Sequence, residues 1–197
     1  MRLGFCFGLL FLSAGLARGT QVDEGDSPSG HIHFVVKGPQ DDKRIYLSVK
    51  DHPQDQVALC QTPGWGNLEV HFSPDDYWIV VQDGGGSLGI SLRLFRRETG
   101  VTYKEMTDVD MGRAAELAAL QQNDLPPKEL LDHRYMKLLA WSADSKGFVF
   151  SLSGHGGDGK IHIRINNWIG IYDLATGAID FDLTKVNQGV LEKEPRN

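Results

Sequence analysis

One pattern occurs twice in this chain, and it constrains the architecture before any single residue suggests chemistry. Val70–His71–Phe72–Ser73–Pro74–Asp75–Asp76 leads into the apolar run YWIVV and, later, into FRRETG at Phe95–Gly100. Leu139–Ala140–Trp141–Ser142–Ala143–Asp144–Ser145 leads into GFVFSLS and, later, into YDLATG at Tyr172–Gly177. Each copy of such a repeat is one supersecondary unit that buries its apolar face on its neighbour. The chain is therefore expected to be repeat-built and mostly β.

From His31 onward, short segments rich in Val, Ile, Phe, Tyr and Trp alternate with clusters of Gly, Pro, Asn and Asp, the pattern of a strand-and-turn meander. Eleven strands are predicted: His31–Lys37, Arg44–Lys50, Gln56–Gln61, Leu68–Phe72, Tyr77–Gln82, Ile90–Arg96, Val101–Met106, Met136–Trp141, Gly147–Ser153, Trp168–Leu174 and Ala178–Leu183. Between about residues 108 and 133 the period turns helical. Met111, Ala114, Ala115, Leu117, Ala118 and Leu120 cover most of a helix surface, with Thr107 and Asp110 as its capping pair and Asn123 at its end. A second short helix, Lys128–His133, is expected after Pro126–Pro127. So apolar an insertion is expected to cover a sheet face.

Ser73 and Ser142 lie 69 positions apart. Removing an insert of roughly 26 residues leaves about 43, within the range of a four-stranded propeller blade. A first, partial unit precedes the two clear ones. On these residues the chain resembles WD40-like and TolB-type β-propellers, over about 31–106 and 136–185. The resemblance implies antiparallel blades around an axis that bind peptides, proteins or small molecules on their loop faces. Propellers close with typically four to eight blades, and this sequence supplies about three. Such an arc leaves apolar faces and strand edges to be covered. Three remedies remain open: the helix caps a face, the strands rearrange into a sandwich or open twisted meander, or a homodimer completes the ring.

The termini read differently. Arg2 followed by the apolar run Leu3–Leu16 and small residues around Ala17 and Gly19 has the layout of a signal peptide, residues 1–19, cleaved near Ala17 or Gly19. That run is too short for a membrane span, so the mature chain is expected to be secreted or periplasmic. Residues 20–30 read as a flexible acidic lead-in, 31–190 as one domain and 191–197 as a polar tail. The formal net charge of −6 without a basic stripe argues against a nucleic-acid partner. Cys60, alone after the signal, reads as a buried inert thiol.

Candidate chemistry is sparse. Gly154–His155–Gly156–Gly157–Asp158–Gly159–Lys160 has the spacing of a phosphate loop, but Ile161 stands where Ser or Thr is needed and KIHIRI alternates as a strand. It reads as a hairpin loop, with Lys160–Ile165 and an Asn166–Asn167 turn as a further strand. Neither Ser87 nor Ser153 sits in a nucleophile elbow. His31 and His33 share a strand face without the partners a metal requires. No catalytic, cofactor or metal residue is assigned. The enlarged Gly154–Trp168 loop nominates His155, Asp158, His162 and Trp168 as a binding site, because function is commonly carried on such loops. The expected function is a binding or interaction module for a protein, peptide or small molecule. The alternatives are a hydrolytic or carbohydrate-active enzyme using that same loop, and a half-propeller that dimerises.

Overall fold

The structure, a computed structural model, describes residues 24–39, 41–62, 66, 68–85, 89–108, 110–125, 131–157 and 162–180. Its strands fall into three antiparallel meanders of four, each in chain order. The first holds β1 (Glu24–Asp26), β2 (Ile32–Lys37), β3 (Lys43–Val49) and β4 (Val57–Thr62). The second holds β5 (Leu68–Phe72), β6 (Trp78–Gly84), β7 (Gly89–Thr99) and β8 (Thr102–Glu105). The third holds β9 (Leu131–Trp141), β10 (Gly147–Gly156), β11 (Ile163–Asp173) and β12 (Ile179–Asp180). The sheets are open and do not close into a barrel.

The two recognised copies fold alike, and a third copy joins them. At Ser73 and Ser142 the serine N–H donates to the carbonyl five residues on, at 2.9 Å each, and at Ser27 the same bond reaches Ile32 at 2.8 Å. The residue three places later donates back to the serine carbonyl in all three, and it has positive φ: Gly30 at 74°, Asp76 at 58° and Ser145 at 57°. Each hydroxyl then accepts from the N–H of residue i+5, that is Ile32, Trp78 and Gly147. Residues 24–30, part of the stretch read from its composition as a flexible lead-in, carry a strand and a corner. They supply β1 and the first corner, with Gly25 letting the Phe34 ring approach to 2.6 Å of where a Cβ would stand. Asp26 accepts from Lys50 Nζ at 2.6 Å and lies 2.9 Å from His33 Nδ1, which fixes an acidic strand that has no apolar alternation.

Two cores lie on either side of the second unit. Ile32, Phe34, Ile45 and Leu47 of the first unit pack with Leu68, Phe72, Ile79, Val81 and Phe95. Val80, Leu92 and Leu94 face the other way, packing with Met136, Leu138, Phe148, Phe150, Leu152 and Trp168 of the third. Alternate residues of β6 thus feed different cores, which is why Ile79–Val80–Val81 is an unbroken apolar run.

The helix α1 (Met111–Gln122) enters the second of these cores through Met111, Ala115, Ala118, Ala119 and Leu120. Asp110 alone caps it, accepting from Arg113 N at 2.9 Å; Thr107 takes no part in that bond. The expected second helix is not found at Leu131–His133, which is the start of β9 and is paired with β10 through His155↔His133. Its earlier residues, 128–130, lie outside the described residues. A short parallel pairing, Gly89↔Arg134 and Ile90↔Tyr135, joins the second and third units into one eight-stranded sheet. A Cβ at Gly89 would stand 1.8 Å from the Arg134 carbonyl oxygen at φ 134°, so only glycine permits that join.

Candidate functional site

Three of the four nominated residues are described, and they stand apart in burial: one is core and two are exposed. Trp168 is fully buried, and its Nε1 donates to Gln122 Oε1 at 2.7 Å, tying β11 to the last residue of α1. It is a core residue. His155 is exposed on β10, its ring stacked on His133 at 4.7 Å. His162 is exposed at the entry to β11, and Asp158 lies outside the described residues. The glycines serve strand approach: a Cβ at Gly154 would lie 2.4 Å from the His133 carbonyl oxygen. The expected Asn-Asn turn is instead a bulge in one continuous strand. Asn166 and Asn167 stand opposite Ser153 alone, and Asn167, at φ 49°, donates its N–H to Ser153 Oγ at 2.9 Å.

A cavity of about 490 Å³ opens instead where the second and third units diverge beneath the N-terminus of α1. Its origin is a split in the sheet. On one side of β7, Gly89 and Ile90 pair with β9 while Phe95–Thr99 pairs with β8, so Ser91, Leu92 and Arg93 have no described strand beside them there. Leu94 O accepts Met106 N at 2.9 Å on that side, whereas Arg97 N donates to Tyr77 O toward β6. Backbone groups of alternate residues point the same way along a strand, so the Leu92 N–H and C=O face the split.

The lining combines apolar and charged groups. Ile90, Leu92, Leu94, Met106, Met111 and Met136 supply the apolar part. Arg93 donates to both Glu105 oxygens at 2.7 Å, which holds its guanidinium pKa above the ordinary value and neutralises Glu105. Arg134 Nη1 lies 3.6 Å from Glu116 Oε2 and beside Gly112, where a Cβ would come within 3.1 Å of it. Glu116, only 2% exposed, also accepts from Leu131 N at 2.6 Å and lies 3.4 Å from Arg113, an arrangement that ties α1 to the start of β9. Tyr172, 3% exposed, lines the cavity. Burial raises its pKa, and the nearby Asp108 and Asp173 carboxylates add to that shift.

Sequence reasoning missed Gly112, Arg134 and Tyr172. The one available signal was a glycine in the first turn of an otherwise alanine- and leucine-rich helix. Cys60 is pushed up to about 11 by burial, which leaves it a thiol at neutral pH. Among the described residues no helix is long and apolar enough to cross a membrane.

The class that this architecture defines is an open, repeat-built β protein of propeller-like units. No protein-family model matches the chain. No curated protein matches it either. Among solved structures it is similar to TolB from Acinetobacter baumannii, with a TM-score of 0.41 and 16% identity over 80% of this chain and 31% of that one. The chain thus spans less than a third of the TolB chain, and a likeness of that degree carries no argument about activity or partners.

Proposed function

We propose that the chain is a binding module whose ligand occupies the cavity between the second and third units. The observation that carries this reading is the split edge of β7: main-chain groups with no described strand beside them, an apolar floor and fixed charges converge on one concave volume. A volume of about 490 Å³ falls within the range of small-ligand sites. The hydrolytic or carbohydrate-active alternative would use the Gly154–Trp168 loop, in which Trp168 is buried and Asp158 lies outside the described residues.

The test is a fragment screen read by amide chemical shifts on the full chain. Shifts clustered at Ile90–Leu94, Gly112 and Arg134 support the reading. Shifts confined to the His155–His162 hairpin would move the site there and overturn it, as would a screen in which no fragment perturbs the cavity.

A further inference from the structure

We infer that Asp83 is a proton-operated latch on the seam between the first and second units: a proton on its carboxyl closes the seam, and loss of that proton loosens it. The inference stands whatever the cavity holds.

The seam is apolar along most of its length and polar at one end. Residues two apart on a strand share a face. Asp83 follows Ile79 and Val81 on β6, and Arg93 precedes Phe95 on β7, so both face the first unit with those core residues. Glu105 is paired with Phe95 and shares that face. From the first unit, Cys60 packs on the same core, and the Lys43–Thr62 pair stands two residues beyond the Ile45–Cys60 pair. Among the described residues, β2 and β5 give this core only apolar side chains. Farther along the seam, Arg97 donates to the Gly100 carbonyl and the Tyr103 hydroxyl to the Asp76 carbonyl.

Two carboxylates meet one guanidinium at the polar end. Glu105 takes Arg93 at two points, with Nε and Nη2 each donating at 2.7 Å. The remaining nitrogen, Nη1, donates to the Gln61 carbonyl of the first unit at 3.0 Å. Asp83 Oδ2 is left 4.0 Å from Nη1, beyond hydrogen-bond length, and Oδ1 is buried without a hydrogen-bond partner among the described residues. Thr62, next to Gln61 and fully buried, brings a second such atom to the seam, its hydroxyl oxygen. A buried carboxylate without donors is costly when ionised. Protonated, it is neutral and gains a donor of its own, which a hydroxyl can accept.

The direction of the response follows. Asp83 is 6% exposed, and burial outweighs the attraction of Arg93, which holds its pKa above the ordinary value of 3.8. The folded chain therefore keeps this proton at a pH where the unfolded chain has released it. The stabilisation is complete below the unfolded value and is lost as pH rises through the folded one.

The experiment follows urea unfolding of the unaltered full chain and of Asp83→Asn, a neutral isostere, from about pH 4 to about pH 8. The variant is expected to be the more stable at the alkaline end, and the ratio of the two unfolding constants to shrink toward one at the acid end. Amide exchange locates the effect. In the unaltered chain, protection of β4 is expected to fall relative to that of β10 as pH rises, and in the variant it is not. A ratio that stays constant with pH, or a variant less stable at the alkaline end, overturns the latch. Protection that changes equally in β4 and β10 overturns its placement at this seam. Should the variant fail to fold, a carbon NMR titration of the Asp83 carboxyl in the unaltered chain decides: a midpoint above 3.8 is expected, and one at or below it overturns the inference.

Discussion

Ser27, Ser73 and Ser142 perform one task three times: each hydroxyl accepts the N–H that opens the following strand. Their surroundings differ, and so will the consequences of removing them. Ser73 is fully buried and also donates to Asp75, whose carboxyl is held low because bonds from Ser73, the Tyr77 amide and Ser145 outweigh the upward push of burial. Ser142 sits at a corner with exposed neighbours, where water replaces a lost bond. Ser73→Ala is therefore expected to cost about 1–3 kcal/mol, the penalty of stranding a buried donor, and Ser142→Ala less than about 1 kcal/mol. Urea unfolding of the two variants checks the order, and equal losses would show that the corners do not differ in solvation. Between the corners, Asp76 accepts from the Ser27 and Ser29 hydroxyls, and Asp75 N donates to Ser145 Oγ at 3.2 Å, so the three copies are joined side by side.

At the scale of elements, α1 is held at its middle and at its C-terminal end by the third unit. Glu116 receives the first amide of β9, and Gln122 receives the Trp168 indole from β11. If Trp168 is core rather than a ligand contact, Trp168→Ala is expected to lower stability by about 3–5 kcal/mol. Thermal unfolding measures it; an unchanged melting temperature would return Trp168 to the list of site residues. The alternating segments β2, β3, β6, β7, β10 and β11 were legible in the sequence because an amphipathic or doubly buried strand writes its period into its residues. Glu24–Asp26 wrote nothing of the kind, since a three-residue acidic strand is held by Lys50, His33 and a glycine rather than by apolar burial. Lys128–His133 looked helical from its prolines, but pairing with His155 extends its last residues. The cavity was illegible for a further reason. It arises from where β8 and β9 part company along β7, a property of non-local pairing that no local window contains.

Across the whole molecule, alternation along β6 sends Ile79 and Val81 to one core and Val80 to the other, so the middle unit is buried on both faces and each end unit on one. The free face of the first unit is polar. Asp26 with Lys50 and His33, Lys37 with Gln56, and Lys37 over the Tyr46 ring at 5.4 Å occupy it, the solution terminal repeats commonly adopt. Both end units also expose some apolar surface, Val49 at 43% and Val57 at 37% in the first and Tyr135 at 38% and Leu139 at 46% in the third. Completing a ring with a second copy would set the charged face of one chain on the third unit of the other, at the cost of desolvating its ion pairs. The purified chain is thus expected to sediment as a monomer, near 21.8 kDa with residues 1–197 intact, at micromolar concentration. A stable species of twice that mass would revive ring completion, and Leu139→Lys would then test which face is used: a dimer closed through the third unit should dissociate, whereas one joined through the β4 edge should persist.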